Sequence, residues 1–293
     1  MSPLLYDIEM KFKEDWKNHL ISLLNEYGYT INPNLSPSDV SIIYFNWRRR
    51  VVDITKRKVH VSKEFNCPKK YKYALREIIN KIERGFDINP HLSKLIKDVK
   101  YNDLLLNDWG IHHLHLSKKY TDSSKKFVDR TKDVLFVKFN QENAYLIQIL
   151  DHKSFSDQEL LKIMHRNWPD IMRRLKIDSL SHSLTNEDIH NIRKNGGNAF
   201  IEVEPGVVYM PPGMGLTTAR TSTEATRNSH YYMNNLSLFE LHMRNNIGSI
   251  IREAETNSVY KMPKKLKFVL HIYDTHFKAV EVNTNVVVDL GTL

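Results

Sequence analysis

The sequence predicts an α+β fold: a central, mainly antiparallel sheet flanked by helices, then a second C-terminal α+β region ending in a β-meander. Three observations predict it. Apolar residues recur at spacings of three and four in some segments, as helices require, and alternate or cluster as β-branched and aromatic runs in others. The segments come in the order helix, hairpin, helices, sheet, helices, sheet, which is not the regular alternation of an α/β fold. The last thirty residues hold three strand-like runs separated only by short turns.

Each element can be justified in turn. Leu5, Ile8, Phe12, Trp16, Leu20, Leu23 and Leu24 predict a helix over 5–26. "NPNLSPSD" is a loop, and "VSIIYFNW", "VVDIT" and "KVHVS" read as strands of a basic hairpin. A helix starts near Pro68 and stops at Gly85, with Leu75, Ile78, Ile79 and Ile82 as its apolar stripe. "NPHLSKLIKDV" predicts a shorter helix and "NDLLL" a further turn. Three strands follow: "GIHHLHLS", "DVLFVKFN" and "NAYLIQILDH", the first two joined by a polar stretch over 117–130. Ser156 and Glu159 suit a capping box, and Phe155 with Leu160 a hydrophobic staple, before a helix that meets Pro169. "LTNEDIHNIRKNGGN" is a short helix, "AFIEVE" and "VVYM" are strands, and Thr221 with Glu224 could cap a long helix to about Ala254. The meander is "KFVLHIYD", "FKAVEVN" and "NVVVDL". The middle sheet and its capped helix are complete before residue 177, so the expected domains are 1–177, with the basic hairpin and the central sheet, and 178–293.

Charge narrows the function. The chain of 293 residues carries a formal net charge of +9. Between Ser41 and Lys126 there are 20 Lys and Arg against 9 Asp and Glu, so the excess is concentrated in one stretch. A concentrated basic region suits a polyanion such as RNA, although a solvated surface can carry the same charge. The single cysteine excludes an internal disulfide framework and a Cys-rich zinc site. The start of the chain lacks the apolar core of a signal peptide, and no run of about 18 apolar residues occurs. A cytoplasmic protein without membrane spans is expected.

The chemistry is expected in "GIHHLHLSKKY". In a strand, His113 and His115 share one face with Ile111, about 7 Å apart, while His112, Leu114 and Leu116 share the other. With the leucines in the core, the two imidazoles are expected on the more open face. Histidine exchanges a proton near neutral pH. With Arg130, His152 and Lys153 close by, such a pair could cleave RNA without metal. One group takes the 2′-hydroxyl proton, another protonates the leaving oxygen, and the cations stabilise the added charge. This reading needs no cofactor and no metal. Two other readings stay open. Strand histidines often do no more than hydrogen-bond their neighbours, and His113 and His115 with Asp122, Asp129 or His152 could hold zinc or manganese.

Residues from about 72 to 165 resemble the RelE/HigB-type toxins, in the wider group of barnase- and RelE-like ribonucleases. The resemblance lies in layout: "ALREIINKIERG" and "HLSKLIKDV", then "GIHHLHLS", a basic loop ending in "DRTKDVLFVKF", and "AYLIQILDHKSFSDQELLKI". It implies that His113 and His115 lie on the active-site strand, that Arg130 contacts phosphate, and that His152 and Lys153 form the basic tail. It also implies a self-contained toxin or phage-defence effector with an antitoxin or other defence protein as partner. The match covers about a third of the chain.

Two other stretches are candidates for binding. Arg48, Arg49, Arg50, Lys56, Arg57 and Lys58 on the expected hairpin, with Lys118 and Lys119, could track a nucleic-acid backbone. The loop "PPGMGLTTARTS" could offer Gly213, Gly215, Thr217, Thr218 and Arg220 to a phosphate at a helix N-terminus, and His230, Tyr231 and Tyr232 beyond it could stack bases. The loop is not a P-loop, since no Gly-Lys-Ser/Thr follows. The expected function is a metal-independent endoribonuclease of toxin or phage-defence type. The alternative is a nucleic-acid-binding or regulatory protein without chemistry. Oligomers are compatible with either.

Overall fold

The computed structural model describes residues 6–172, 183–256 and 261–293. It divides into two compact units: residues 46–226 form one, and residues 1–45 with 227–293 form the other. The units do not follow the expected division at 177/178, a boundary that itself falls outside the described residues. Chain ends far apart in sequence build a single sheet, which no linear boundary could express.

The unit of the termini holds that sheet. Strand β1 (Asp7–Met10) pairs in parallel with β8 (Lys265–Tyr273), which continues antiparallel through β9 (His276–Glu281) to β10 (Val287–Thr292). The meander is as expected, but the single helix over 5–26 is a strand followed by helix α1 (Phe12–Glu26). Its buried face, Phe12, Trp16, Leu20 and Leu24, keeps the expected spacing. Trp16 stacks on Tyr232, with ring centroids 4.9 Å apart. That ring is therefore committed to packing rather than to a base.

Helices α2 (Pro37–Arg50) and α7 (Thr223–Thr256) carry the chain between units. The sequence pattern of α2 predicts a strand, and the structure has a helix instead. "VSIIYFNW" is rich in β-branched and aromatic residues, but propensity is weak against packing, and Ser36 caps the helix through the amide of Asp39 at 3.1 Å. "VVDIT" forms no strand either, so there is no basic hairpin.

The other unit is built on a sheet of order β2–β5–β4–β3, where β2 is Lys58–Val61, β3 His112–His115, β4 Asp133–Phe139 and β5 Asn143–Asp151. β3, β4 and β5 are antiparallel, and β2 joins β5 in parallel. Helix α3 (Lys72–Arg84) covers one face through Ala74, Leu75, Ile78 and Ile82, which pack on Leu114, Leu135, Val137 and Leu146. It ends at Gly85, whose φ of +71° places it in the left-handed region suited to glycine. The expected second helix is two 3-10 turns, Asn89–His91 and Lys94–Lys97, followed by the short helix α4 (Leu104–Trp109).

The opposite face is also covered. Ile111, Val134, Phe136 and Ile147 meet Leu160, Leu161, Ile163 and Met164 of α5 (Glu159–Asn167), Ile189 of α6 (Asn186–Lys194), and the hairpin of β6 (Ile201–Glu204) and β7 (Val207–Tyr209). The Ser156–Glu159 capping box does not form: Ser156 ends a 3-10 turn, and the Asp157 carboxylate accepts the Glu159 amide at 3.0 Å. A capping box does form at α6, between Thr185 and Asp188.

Candidate functional site: a three-histidine cluster

The register of the sheet decides where the histidines go. In β3, His113 lies opposite Phe136 and His115 opposite Val134, so both imidazoles share the face that α5 and α6 cover. Leu114, opposite Leu135, looks toward α3. The alternation is as expected; the openness is not. His113 is 7% and His115 5% exposed, because both faces of this sheet carry a layer.

His152 completes a cluster. It follows β5 directly, and its amide donates to the Lys132 carbonyl at 3.0 Å, which fixes the turn beside the end of β3. Its ring lies 5.4 Å from that of His113 and 5.5 Å from that of His115, and those two are 6.1 Å apart. One ring nitrogen from each residue lies within 4.8 Å of the other two. Phe155 forms a wall, its ring 4.8 Å from both His113 and His152. His152 is the least enclosed of the three.

Burial sets the protonation of the cluster. It lowers His113, His152 and His115 below the ordinary imidazole value, His115 to about 3, and mutual repulsion with Arg130 adds to the effect. All three are therefore neutral at pH 7, each with one lone pair, that of His115 facing the Thr131 amide. Arg130 is exposed, and no hydrogen bond or ion pair engages its guanidinium among the described residues. Lys153 is also exposed, its amide held by the Asp151 carboxylate at 2.8 Å. The structure thus brings His113, His115 and His152 together and sets Arg130 within electrostatic reach of all three.

Behind the cluster stand two partners that sequence reasoning missed. Asp103 caps α4 by accepting the Leu106 amide at 3.0 Å, and its other oxygen lies 3.9 Å from Nδ1 of His113. That gap is too long for a hydrogen bond, so the buried Nδ1 has no partner. Thr131 faces Nδ1 of His115 with its amide at 3.2 Å and its hydroxyl at 3.4 Å. Only the position of Thr131 next to Arg130, at the end of the basic loop, hinted at this in the sequence.

The other predicted residues are dispersed. Arg49 is enclosed: Nε donates to Glu224 at 2.8 Å and Nη1 to Asn107 at 2.7 Å. Arg50 is 5% exposed and donates to the carbonyls of Asp98 and Val99. Arg57 is 7% exposed and donates to the carbonyls of Asn140 and Asp53. These three stitch backbone and buried polar groups together and present no guanidinium to a phosphate. Arg48 pairs with Asp53 on the surface. Lys56, Lys58, Lys118 and Lys119 are exposed, with Lys118 over the ring of Tyr73.

The Gly/Thr-rich loop is structural. The amides of Gly213 and Gly215 donate to the carbonyls of Asp108 and Asn107 at 2.8 Å each, so neither is free for a phosphate. Thr217 bonds Thr221, and Arg220 sits at φ +60° with its side chain against Gly196. No bond of the Thr218 side chain is seen among the described residues. The helix cap is Ser222, accepting the Ala225 amide at 3.3 Å, rather than Thr221.

Comparison of the chain with known protein families, with curated proteins and with solved structures finds no match. Among the described residues no helix is long and apolar enough to cross a membrane.

Proposed function

We propose that the protein is an endoribonuclease whose chemistry occurs at the mouth of the three-histidine cluster. The observation that carries this reading is an unpaired guanidinium, Arg130, beside three neutral imidazoles of which one, His152, is partly open. The burial of His113 and His115 changes the division of labour expected from sequence. These two hold and orient His152, whose ring lies nearly parallel to that of His115 at 23°. His152 is the group that can meet a substrate.

In this reading a phosphodiester rests on Arg130, with Lys153 adding positive charge at the rim. Neutral His152 accepts the 2′-hydroxyl proton, and the 2′-oxygen attacks the adjacent phosphorus. Arg130 balances the charge that builds on the phosphoryl oxygens. The 5′-oxygen leaves with a proton from a water at the mouth, which takes back in turn the proton held by the His152 imidazolium, giving a 2′,3′-cyclic phosphate and a 5′-hydroxyl and restoring neutral His152. The resemblance of 72–165 to RelE/HigB-type toxins points to the same substrate class; α3, β3, β4, β5 and α5 follow one another there, while the second helix of that layout is replaced by two 3-10 turns. A toxin or defence role with a partner protein rests on that resemblance alone.

The test is RNA cleavage by the purified chain in chelator-treated buffer, with analysis of the product ends. Cyclic-phosphate products are expected, with losses of about 100-fold or more in His152→Ala and Arg130→Ala. His190→Ala, an exposed residue on α6, serves as control. No cleavage by the wild type, or equal cleavage by all variants, overturns the reading. The second reading, binding without chemistry, is favoured by the exposed Lys56, Lys58, Lys118 and Lys119, and predicts salt-sensitive RNA binding that survives His152→Ala.

A further inference from the structure

The convergence of three imidazoles has a consequence beyond proton transfer. We infer that His113, His115 and His152 bind one divalent transition-metal ion of the zinc class, and that the bound ion switches off the reaction proposed above. The binding site stands on geometry alone; its regulatory role rests on the ribonuclease reading.

Three neutral nitrogen donors are the protein ligand set of an open tetrahedral zinc site. Zinc–nitrogen bonds of about 2.0–2.1 Å place the donors about 3.4 Å apart. Here they lie within 4.8 Å of one another, so an ion needs an inward movement of about an ångström. His113 and His115 are fixed by the strand and the covering helices, while His152 is less enclosed and sits in the turn after β5, so it supplies the movement.

The surroundings suit metal ligands in two further ways. A ligating histidine commonly donates its second N–H to a carboxylate, which sets its tautomer. Asp103 lies behind His113 at 3.9 Å from a buried Nδ1 that has no other partner, and a shift of under an ångström makes that bond. Thr131 offers Nδ1 of His115 both a donor and an acceptor. When Nδ1 accepts the Thr131 amide, Nε2 carries the proton. When Nδ1 carries the proton and gives it to the Thr131 hydroxyl, Nε2 has a free lone pair. The Thr131 amide favours the first tautomer; the metal-ligating one needs the ring to turn from that amide toward the hydroxyl, which gives its own proton to the Asp133 carbonyl and keeps a lone pair for Nδ1–H. An ion on His152 engages the lone pair that would take the 2′-hydroxyl proton, so the imidazole can no longer act as that base, and any cleavage with the ion bound would have to draw on the water in its fourth position.

The test is titration of the chelator-treated, desalted full chain with cobalt(II), followed by visible absorption. The expected result is the d–d spectrum of a tetrahedral nitrogen-ligated ion, saturating at one per chain and displaced by zinc(II). His152→Ala and His113→Gln should abolish it, and His190→Ala should keep it. Circular dichroism confirms the fold of each variant, and His152→Ala is the decisive one because its ring is the least buried. No tetrahedral spectrum, or an unchanged spectrum in a folded His152→Ala, overturns the site. Cleavage assays run beside the titration judge the regulation. Cleavage in chelator that zinc suppresses supports the switch. Cleavage that appears only with zinc overturns the switch and the proton-transfer reading but leaves the site. No cleavage in either state, with the spectrum present, removes the ribonuclease reading and the switch, and leaves a metal-binding protein.

Discussion

Replacing Arg193 with leucine should remove much of the stability of the unit that carries the cluster. Arg193 reaches from α6 into the core, where its Nε donates to Oδ2 of Asp108 at 2.5 Å, each side chain being 5% exposed. Its guanidinium also stacks on Trp109 at 3.9 Å and donates to the Phe155 carbonyl. Burial alone would push the Asp108 carboxyl up, and Arg193 opposes this. Taking away one partner of a buried pair costs about 3–5 kcal/mol, because the other charge is left in the interior. The lost cation–π contact and the unbonded Phe155 carbonyl each add about 1 kcal/mol. Arg193→Leu should therefore lose about 5–7 kcal/mol in urea unfolding followed by circular dichroism. Arg193→Leu with Asp108→Asn, which removes the stranded charge, should recover more than half of that. Phe155 forms the wall of the cluster, so the single variant should also lose cobalt binding before it unfolds. A loss under about 1 kcal/mol for Arg193→Leu, or a double variant no better than the single, would refute the argument.

Three further outcomes follow from the same structure. Lys138 has its ammonium enclosed, donating to the Gly110 carbonyl at 3.5 Å, and burial lowers its pKa to about 8 against the opposing charge of Glu224. Between about 8 and the ordinary 10.4 the unfolded chain binds the extra proton, so stability rises with pH in that window. Lys138→Met should erase that rise and add up to about 3 kcal/mol at pH 7; an unchanged pH profile of the urea midpoint would count against it. His112 and His115, lowered to about 4 and about 3, give the opposite flank. Their stabilising neutrality is complete above 6.5 and is lost as pH falls toward the folded values, so stability should drop by about 2–3 kcal/mol per pH unit between about 5.5 and 4, and by about half that in His112→Phe. Finally, a Cβ at Gly213 would lie 2.4 Å from the Leu106 carbonyl oxygen and 2.6 Å from that of Asn107. Gly213→Ala should cost about 2 kcal/mol or more with no change in phosphate affinity; a loss of phosphate binding in a fully stable variant would restore the loop as a binding site.

The legible and illegible parts of this protein divide along physical lines. Strands β3, β4 and β5 were readable because each is a run of apolar and β-branched residues bounded by turns. Helices α3 and α7 were readable because an apolar stripe repeats over many turns. Helix α2 was not, because residues of strand propensity can be overruled by a cap and a buried face, and Val40 and Trp47 are both buried. The pairing of β1 with β8 spans more than 250 residues, and no local pattern encodes such a contact. At the site, alternation correctly set His113 and His115 on one face. Whether that face met solvent depended on α5 and α6, which lie 40 to 80 residues downstream. The basic residues show the same limit. Composition announced positive charge, but Arg49, Arg50 and Arg57 spend it inside the fold, on Glu224 and on backbone carbonyls. Exposed lysines such as Lys56, Lys58, Lys118 and Lys119, with Arg76, Arg84 and Arg130, keep it at the surface.

The most direct test of the account is the protonation of the imidazoles in solution. Long-range proton–nitrogen correlation spectra of the metal-free chain, with histidines assigned by substitution, report tautomer and charge for each ring. The account predicts that His113, His115 and His152 are all neutral at pH 7, that each titrates below 6.5, and that removing His152 shifts the other two. Three rings titrating independently at or above 6.5 would mean that they stand apart in water, and the cluster on which the proposed chemistry and the metal site both depend would not exist.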